Sequence, residues 1–188
     1  LEVGREKGVG TLAVGADGLV LDNPNGAADI TVRATVSGTA DKVLMKNGPG
    51  TAVFDNALNW SGTIQANQGE LSVVDPVSPI TATLTGPGTY SIGGSGTRTL
   101  AGDATGFFGT LLLKGGVARI KDAAQLGGEG ATLVITNGAA LDISGGLEGL
   151  TFSQLNLQDR NVFLSGDGPD GLGAFRPEAY NAAAGGEN

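Results

Sequence analysis

Short runs of alternating apolar and polar residues recur along nearly the whole chain, and most are separated by glycine, asparagine or aspartate. Alternation with a period of two marks a half-buried strand, and those three residue types supply the backbone conformations that tight turns need. Strands are therefore expected at 11–14, 19–22, 30–36, 43–45, 52–54, 63–66, 71–74 and 80–84. Further strands are expected at 89–92, 97–100, 110–113, 117–120, 132–135, 140–143, 152–157 and 162–164. Helices are nearly excluded, because glycine interrupts almost every window long enough for one, and each interior glycine costs about 1 kcal/mol relative to alanine. The two short helical candidates are 122–126 and 176–184.

Evenly spaced short strands are compatible with a sandwich, a barrel or a solenoid. Internal repetition favours the solenoid. The run Gly48, Gly50, Thr51, then Ser61-Gly62-Thr63-Ile64, then Gly69 and Leu71 is echoed further on. The echo is Gly94, Gly96, Thr97, then Phe108-Gly109-Thr110-Leu111, then Gly116 and Val117. The offset is about 46 residues, which reads as two coils of about 23 each, the usual size for stacked repeats. Positions suited to an interior correspond across it: Ile64 with Leu111, Ala66 with Leu113, Leu71 with Ala118 and Val73 with Ile120. A second pattern pairs 10–22 with 131–142, each reading strand, turn, strand, aspartate.

These motifs, together with 123–127 and the run from Ala131 to Asp142, resemble the autotransporter-associated β-strand repeat of bacterial surface proteins. The resemblance covers about residues 48–74 and 94–145 and implies an all-β fold, a right-handed parallel β-helix, with a β-sandwich as the alternative. Seven or eight coils stacked at about 4.8 Å would make a rod of roughly 35 Å. The solenoid is expected to span residues 1–165, with repeats near 48–74 and 94–120. Residues 166–188, interrupted by Pro169, Gly171, Gly173 and Pro177, are expected to form a cap, a linker or a disordered tail.

Composition narrows the chemistry. The 188 residues include 34 glycines but no His and no Cys, which excludes His-based triads, thiol catalysis, disulfides and Cys/His zinc or iron–sulfur sites. The net charge is −8, and the 11 basic residues are scattered rather than gathered on one run, which argues against nucleic-acid binding. No stretch approaches the apolar length that spans a bilayer as a helix. The polarity comes mainly from Thr, Ser, Asn, Gln and Gly, as is common in secreted β-proteins. The chain starts at Leu1 and reads as a fragment or processed product.

Each candidate site competes with a plainer explanation. Asp22 and Asp142 occupy matching positions and could form an acid/base or calcium pair, but an aspartate at a strand end usually accepts local backbone N–H groups. The loop 165–171 carries Asp167 and Asp170, yet Pro169 and Gly171 stand where a calcium loop needs oxygen ligands. The glycine-rich 93–97 has no Lys-Ser/Thr and no following helix, so it reads as a β-turn rather than a phosphate cradle. Trp60, Phe107 and Phe108 make up the candidate contact patch. Adjacent strand residues face opposite sides, so one of Phe107 and Phe108 is expected to be exposed.

No catalytic residue, metal ligand or cofactor is expected. The resemblance implies a structural stalk or spacer of a surface-exposed, autotransporter-type protein, extracellular or on the bacterial cell surface, that supports passenger folding and display. Its partners would be the remainder of the parent chain or copies of itself. One alternative is a self-assembling subunit of an extracellular filament, sheath or matrix. The other is a carbohydrate-binding module that takes surface glycans. A row of exposed Asp, Arg and aromatic side chains on one face would favour the carbohydrate module, and a face of Thr, Asn and Gln alone would count against it.

Overall fold

The computed structural model describes residues 2–3, 11–24, 29–136, 138–143, 157 and 159–176. The chain winds as a stack of coils built from short parallel strands. The first coil contributes β1 (Glu2–Val3), β2 (Thr11–Ala13) and β3 (Leu19–Asp22); the second, β4 (Ile30–Val32), β5 (Thr35–Gly38) and β6 (Val43–Asn47); the third, β7 (Thr51–Phe54), β8 (Leu58–Trp60) and β9 (Thr63–Ala66). The fourth has β10 (Glu70–Val73) and β11 (Thr83–Gly86), and the fifth β12 (Thr89–Ile92), β13 (Thr97–Thr99) and β14 (Gly106–Phe107). Beyond them come β15 (Thr110–Leu113) and β16 (Gly116–Arg119), then β17 (Thr132–Ile135) and β18 (Ala139–Asp142), and last β19 (Asn161–Leu164) and β20 (Phe175–Arg176).

One sheet runs the length of the stack in the order β1-β4-β7-β10-β12-β15-β17-β19. A second face is formed by β2-β5-β8 at one end and β13-β16-β18-β20 at the other; a third by β3-β6-β9-β11-β14. Every ladder is parallel, which makes this a parallel β-helix.

The second face breaks where the sequence places Pro76 and Pro79. Proline has no N–H to give a ladder, so the strand expected at 80–84 shrinks to a single Ile80–Leu100 bridge followed by β11. Side chains and carbonyls bridge the gap: the Ser78 hydroxyl accepts the Thr99 N–H at 3.1 Å, and the Pro76 carbonyl accepts from Arg98 Nε at 3.2 Å. On the third face, the expected helix near 122–126 is a 3-10 turn over Ala123–Leu126. Asp122 caps it by accepting the Ala124 N–H, and the Gln125 side chain accepts from the Asp122 backbone in return. That turn takes the place of a strand beside β14, with Ala104 N–H donating to the Ala124 carbonyl.

Equivalent positions on the main sheet are Thr51, Glu70, Thr89, Thr110 and Thr132, so central coils are 19 to 22 residues long rather than a uniform 23. The 46-residue offset is therefore not two coils. Ile64 lies in β9 on the third face and Leu111 in β15 on the main face; Leu71 and Ala118 are likewise on different sheets. The pairing of 10–22 with 131–142 fails in the same way. The motif of glycine, threonine and an inward aliphatic marks the start of a face, and each coil has several. The inward assignments survive, because Ile64, Ala66, Leu71, Val73, Leu111, Leu113, Ala118 and Ile120 are all buried. The expected strand 30–36 is two strands on two faces, β4 and β5. Most of the expected 152–157, and 177–188, lie outside the described residues. The solenoid does not stop at 165: β20 pairs with β18, and Ala174 is buried in the core.

Inside, the pairing stacks apolar side chains in columns. One is Phe54, Val73, Ile92, Leu113, Ile135; another is Ala52, Leu71, Tyr90, Leu111, Leu133. Each large aliphatic or aromatic removed from water this way contributes about 1.5–3 kcal/mol. Lys46 breaks the pattern. It stands in an inward column between Leu21 and Ala66 and is fully buried. Its ammonium reaches the turn and donates to the carbonyls of Asn47 (2.6 Å), Gly48 (2.7 Å) and Gln68 (3.2 Å), which satisfies all three of its donors. Burial holds its pKa below the ordinary lysine value, a shift that the charge of Asp22 opposes.

Coils approach so closely at the turns that some positions have no room for a side chain. A methyl at Gly109 would overlap the backbone carbonyl of Gly88, and Gly116 turns the chain between β15 and β16 at φ +67°. Gly109→Ala is expected to cost about 2 kcal/mol or more, as overpacking against backbone does. Gly15→Ala, at a position with open space, is expected to be neutral or slightly stabilising. Urea denaturation midpoints of the two variants check this.

Candidate functional surfaces

The candidate aromatic patch does not assemble. Trp60 is buried, and its indole Nε1 donates to the Thr63 carbonyl at 3.1 Å across the turn between β8 and β9. Phe107 is buried in β14, whereas Phe108 is 59% exposed at the corner leading into β15. Phe108 is thus an isolated exposed aromatic, and an isolated apolar residue on a surface is ordinary.

Asp22 and Asp142 are also apart, at the ends of β3 and β18 on different faces. Asp22 is exposed. Asp142 is buried and held by Arg119 of the preceding coil, with Nε at 2.9 Å and Nη2 at 2.8 Å from Oδ2. At Asp142 a cross-coil ion pair forms, because Arg119 is its direct partner in the ladder. The 165–171 loop folds on itself. Gly173 N–H donates to the Asp167 carbonyl at 2.7 Å, and Arg176 pairs with Asp170. Among the described residues no group of three or more Asp or Glu side chains could hold a metal ion. Residues 93–96 form the turn between β12 and β13, and Thr97 opens β13.

The outward faces differ in chemistry. The main sheet presents Thr51, Glu70, Thr89, Thr110 and Thr132 in one register column, beside a second of Val53, Ser72, Ser91, Leu112 and Val134. The third face carries Thr63 and Thr83 next to Gln65 and Thr85. The second face carries a charged column, Arg119, Asp142, Arg176, in which the central carboxylate is buried and paired. No aromatic side chain stands out from that charged column. The other outward positions mix Thr and Gln with Val, Leu and Ser.

Sequence reasoning missed the polar residues that tie coils together. Glu70 accepts from Lys114, two coils away, and from the Ser91 hydroxyl between them. Burial alone would raise the Glu70 pKa; the hydrogen bonds from Lys114 and Ser91 and the lysine charge outweigh it and hold it below the ordinary value. At the turns, Asn67 Nδ2 donates to Asn47 Oδ1 at 2.8 Å one coil away. Near the first coils, Lys42 and Thr39 hold the Asp41 carboxyl down to about 2 by hydrogen bonding. The Asn67–Asn47 and Glu70–Lys114 contacts join residues 20 and 44 positions apart, which only the coil register reveals.

Concavities are modest. A depression of about 290 Å³ is lined by Lys42, Ser37, Ser61 and Asn59, with the Lys42 ammonium already bound to Asp41 and the Ala16 carbonyl. A second, of about 10 Å³, lies at the proline break among Trp60, Pro76, Pro79, Ile80 and Tyr90. Sites for small ligands are usually about 300–1,000 Å³ and largely enclosed. Tyr90 is fully buried beside the smaller cavity, and its hydroxyl has no hydrogen-bond partner; burial pushes its pKa far up. No protein-family model, curated protein or solved structure matches this chain.

Two outcomes follow. A buried hydroxyl without a partner costs stability, so Tyr90→Phe is expected to stabilise the fold by about 1 kcal/mol in urea melts. A carboxyl whose folded pKa is depressed contributes stability above its unfolded pKa and loses it as pH falls through the folded value. The stability difference between the native chain and Glu70→Gln is therefore expected to be present at pH 7 and to shrink steadily below about pH 4, measured by melts across that range.

Proposed function

We propose that this chain is a structural spacer, a rod segment of a secreted, autotransporter-type surface protein that supports passenger folding and display. The observation that carries the reading is the uninterrupted main sheet of eight parallel strands over one apolar core. In such a stack each coil is stabilised by its neighbours, so folding can propagate from coils already formed as a chain emerges from a membrane. Seven strand-to-strand steps of about 4.8 Å give about 34 Å of reach. The outward faces mix Thr and Gln with Val, Leu and Ser, and the conspicuous charges at Glu70, Asp142 and Asp170 are spent on cross-coil and loop pairing. The glycine-threonine motifs and the lack of cysteine support an exported, repeat-built parent.

The test is display. The chain is placed between a secretion signal with an epitope and an outer-membrane translocator. The epitope is expected at the cell surface, with the solenoid resistant to protease. Retention in the periplasm, or micromolar binding to a defined polysaccharide in a glycan panel, would contradict the spacer reading.

A further inference from the structure

The inward column runs through Val32, Phe54, Val73, Ile92, Leu113 and Ile135 and ends at Leu164, and Val3 is the ladder partner of Val32. From Val32 to Ile135 these side chains are sealed from water, but Leu164 is 51% exposed. Beside it Phe163 is 60% exposed, and Leu172 of the same coil is also exposed. Three large apolar side chains thus gather on the last coil, one of them at a position that is core in every central coil.

Among the described residues the backbone is open there too. Asn161 and Ser165 donate their N–H groups back to β17, at Ala131 and Ile135. The alternation of a parallel ladder therefore aims the N–H groups of Val162 and Leu164 at the free edge. Among the described residues β19 pairs on one side only, and so does β1 at the opposite end of the same sheet. An open strand edge with apolar side chains is a template for another strand.

We infer that the last coil is a docking surface for a second copy of this chain, joined end to end. All eight strands share one direction, so a simple translation along the stack brings β1 of one copy against β19 of the next in the parallel sense the sheet already uses. The same shift continues the column, setting Val3 in register with Leu164 and Glu2 with Phe163. The contact is head-to-tail, and such contacts build open linear assemblies rather than closed dimers. Each copy carries a net charge of −8, so repulsion opposes the contact and salt relieves it.

The experiment is sedimentation velocity on the full chain over a hundredfold concentration range, at low and at high salt. The expected result is growth into linear oligomers that strengthens with salt. Leu164→Lys is expected to weaken association at least tenfold without changing the circular dichroism spectrum or melting transition. Phe108→Lys, which removes an exposed aromatic at the corner leading into β15, two ladder steps from β19, is expected to leave association unchanged. Should Leu164→Lys lose its melting transition, Phe163→Lys carries the same comparison. A wild-type chain that stays monomeric at high salt overturns the inference, as does undiminished association in the edge variants or equal loss in Phe108→Lys. A monomeric result leaves the spacer reading intact, since display does not require copies to join.

Discussion

The coil-to-coil hydrogen bonding of a parallel ladder constrains everything else in this molecule. Once strands of successive coils pair at about 4.8 Å, each side chain has its neighbours fixed by register, above and below, and faces either the core or water. The apolar columns through Leu113 and Leu111 follow directly, as does the closeness that leaves no room for a methyl at Gly109. So does the way charges are held. Arg119 meets Asp142 because they are ladder partners, and Glu70 meets Lys114 across an intervening Ser91. Variation in length is pushed into the turns, and the coils range from 19 to 22 residues in the centre without loss of pairing.

The same constraint explains the two irregularities. Lys46 can occupy a core position because the turn beside it offers three carbonyls within reach of one ammonium. Burying a charge is otherwise costly, and here hydrogen bonding to backbone offsets much of that cost. At Pro76 and Pro79 the ladder of the second face stops, a small cavity opens, and the Tyr90 hydroxyl is left without a partner. The main sheet runs straight past the break, so the core remains continuous.

The strands and the inward residues were legible in the sequence because period-two alternation reports directly on which side of a strand is buried; the choice of a solenoid over a sandwich came from repetition and resemblance. The coil phase was not. A glycine, a threonine and an aliphatic residue open a strand on any face, so Ile64 and Leu111 look equivalent while lying on different sheets. The division of 30–36 into β4 and β5 was hidden for a related reason, since the corner at Arg33 and Ala34 carries neither glycine nor proline. The aromatic patch failed because exposure depends on which corner a residue occupies: Trp60 turns inward to bond Thr63, and Phe108 turns outward. Cross-coil contacts such as Asn47 with Asn67 became visible only once the register was known.

The central claim is the register of the main sheet, and a distance ladder measures it. The chain has no cysteine, so pairs of spin labels can be placed at will. Labels at Thr51→Cys, Thr89→Cys and Thr110→Cys, each paired with Thr132→Cys, sit four, two and one ladder steps apart. Backbone separations of about 19, 10 and 5 Å follow from the spacing of parallel strands, and dipolar spectroscopy is predicted to show distances rising in that order by about 4.8 Å per step. Distances that do not scale with the number of coils between the labels would contradict the stacked-coil account.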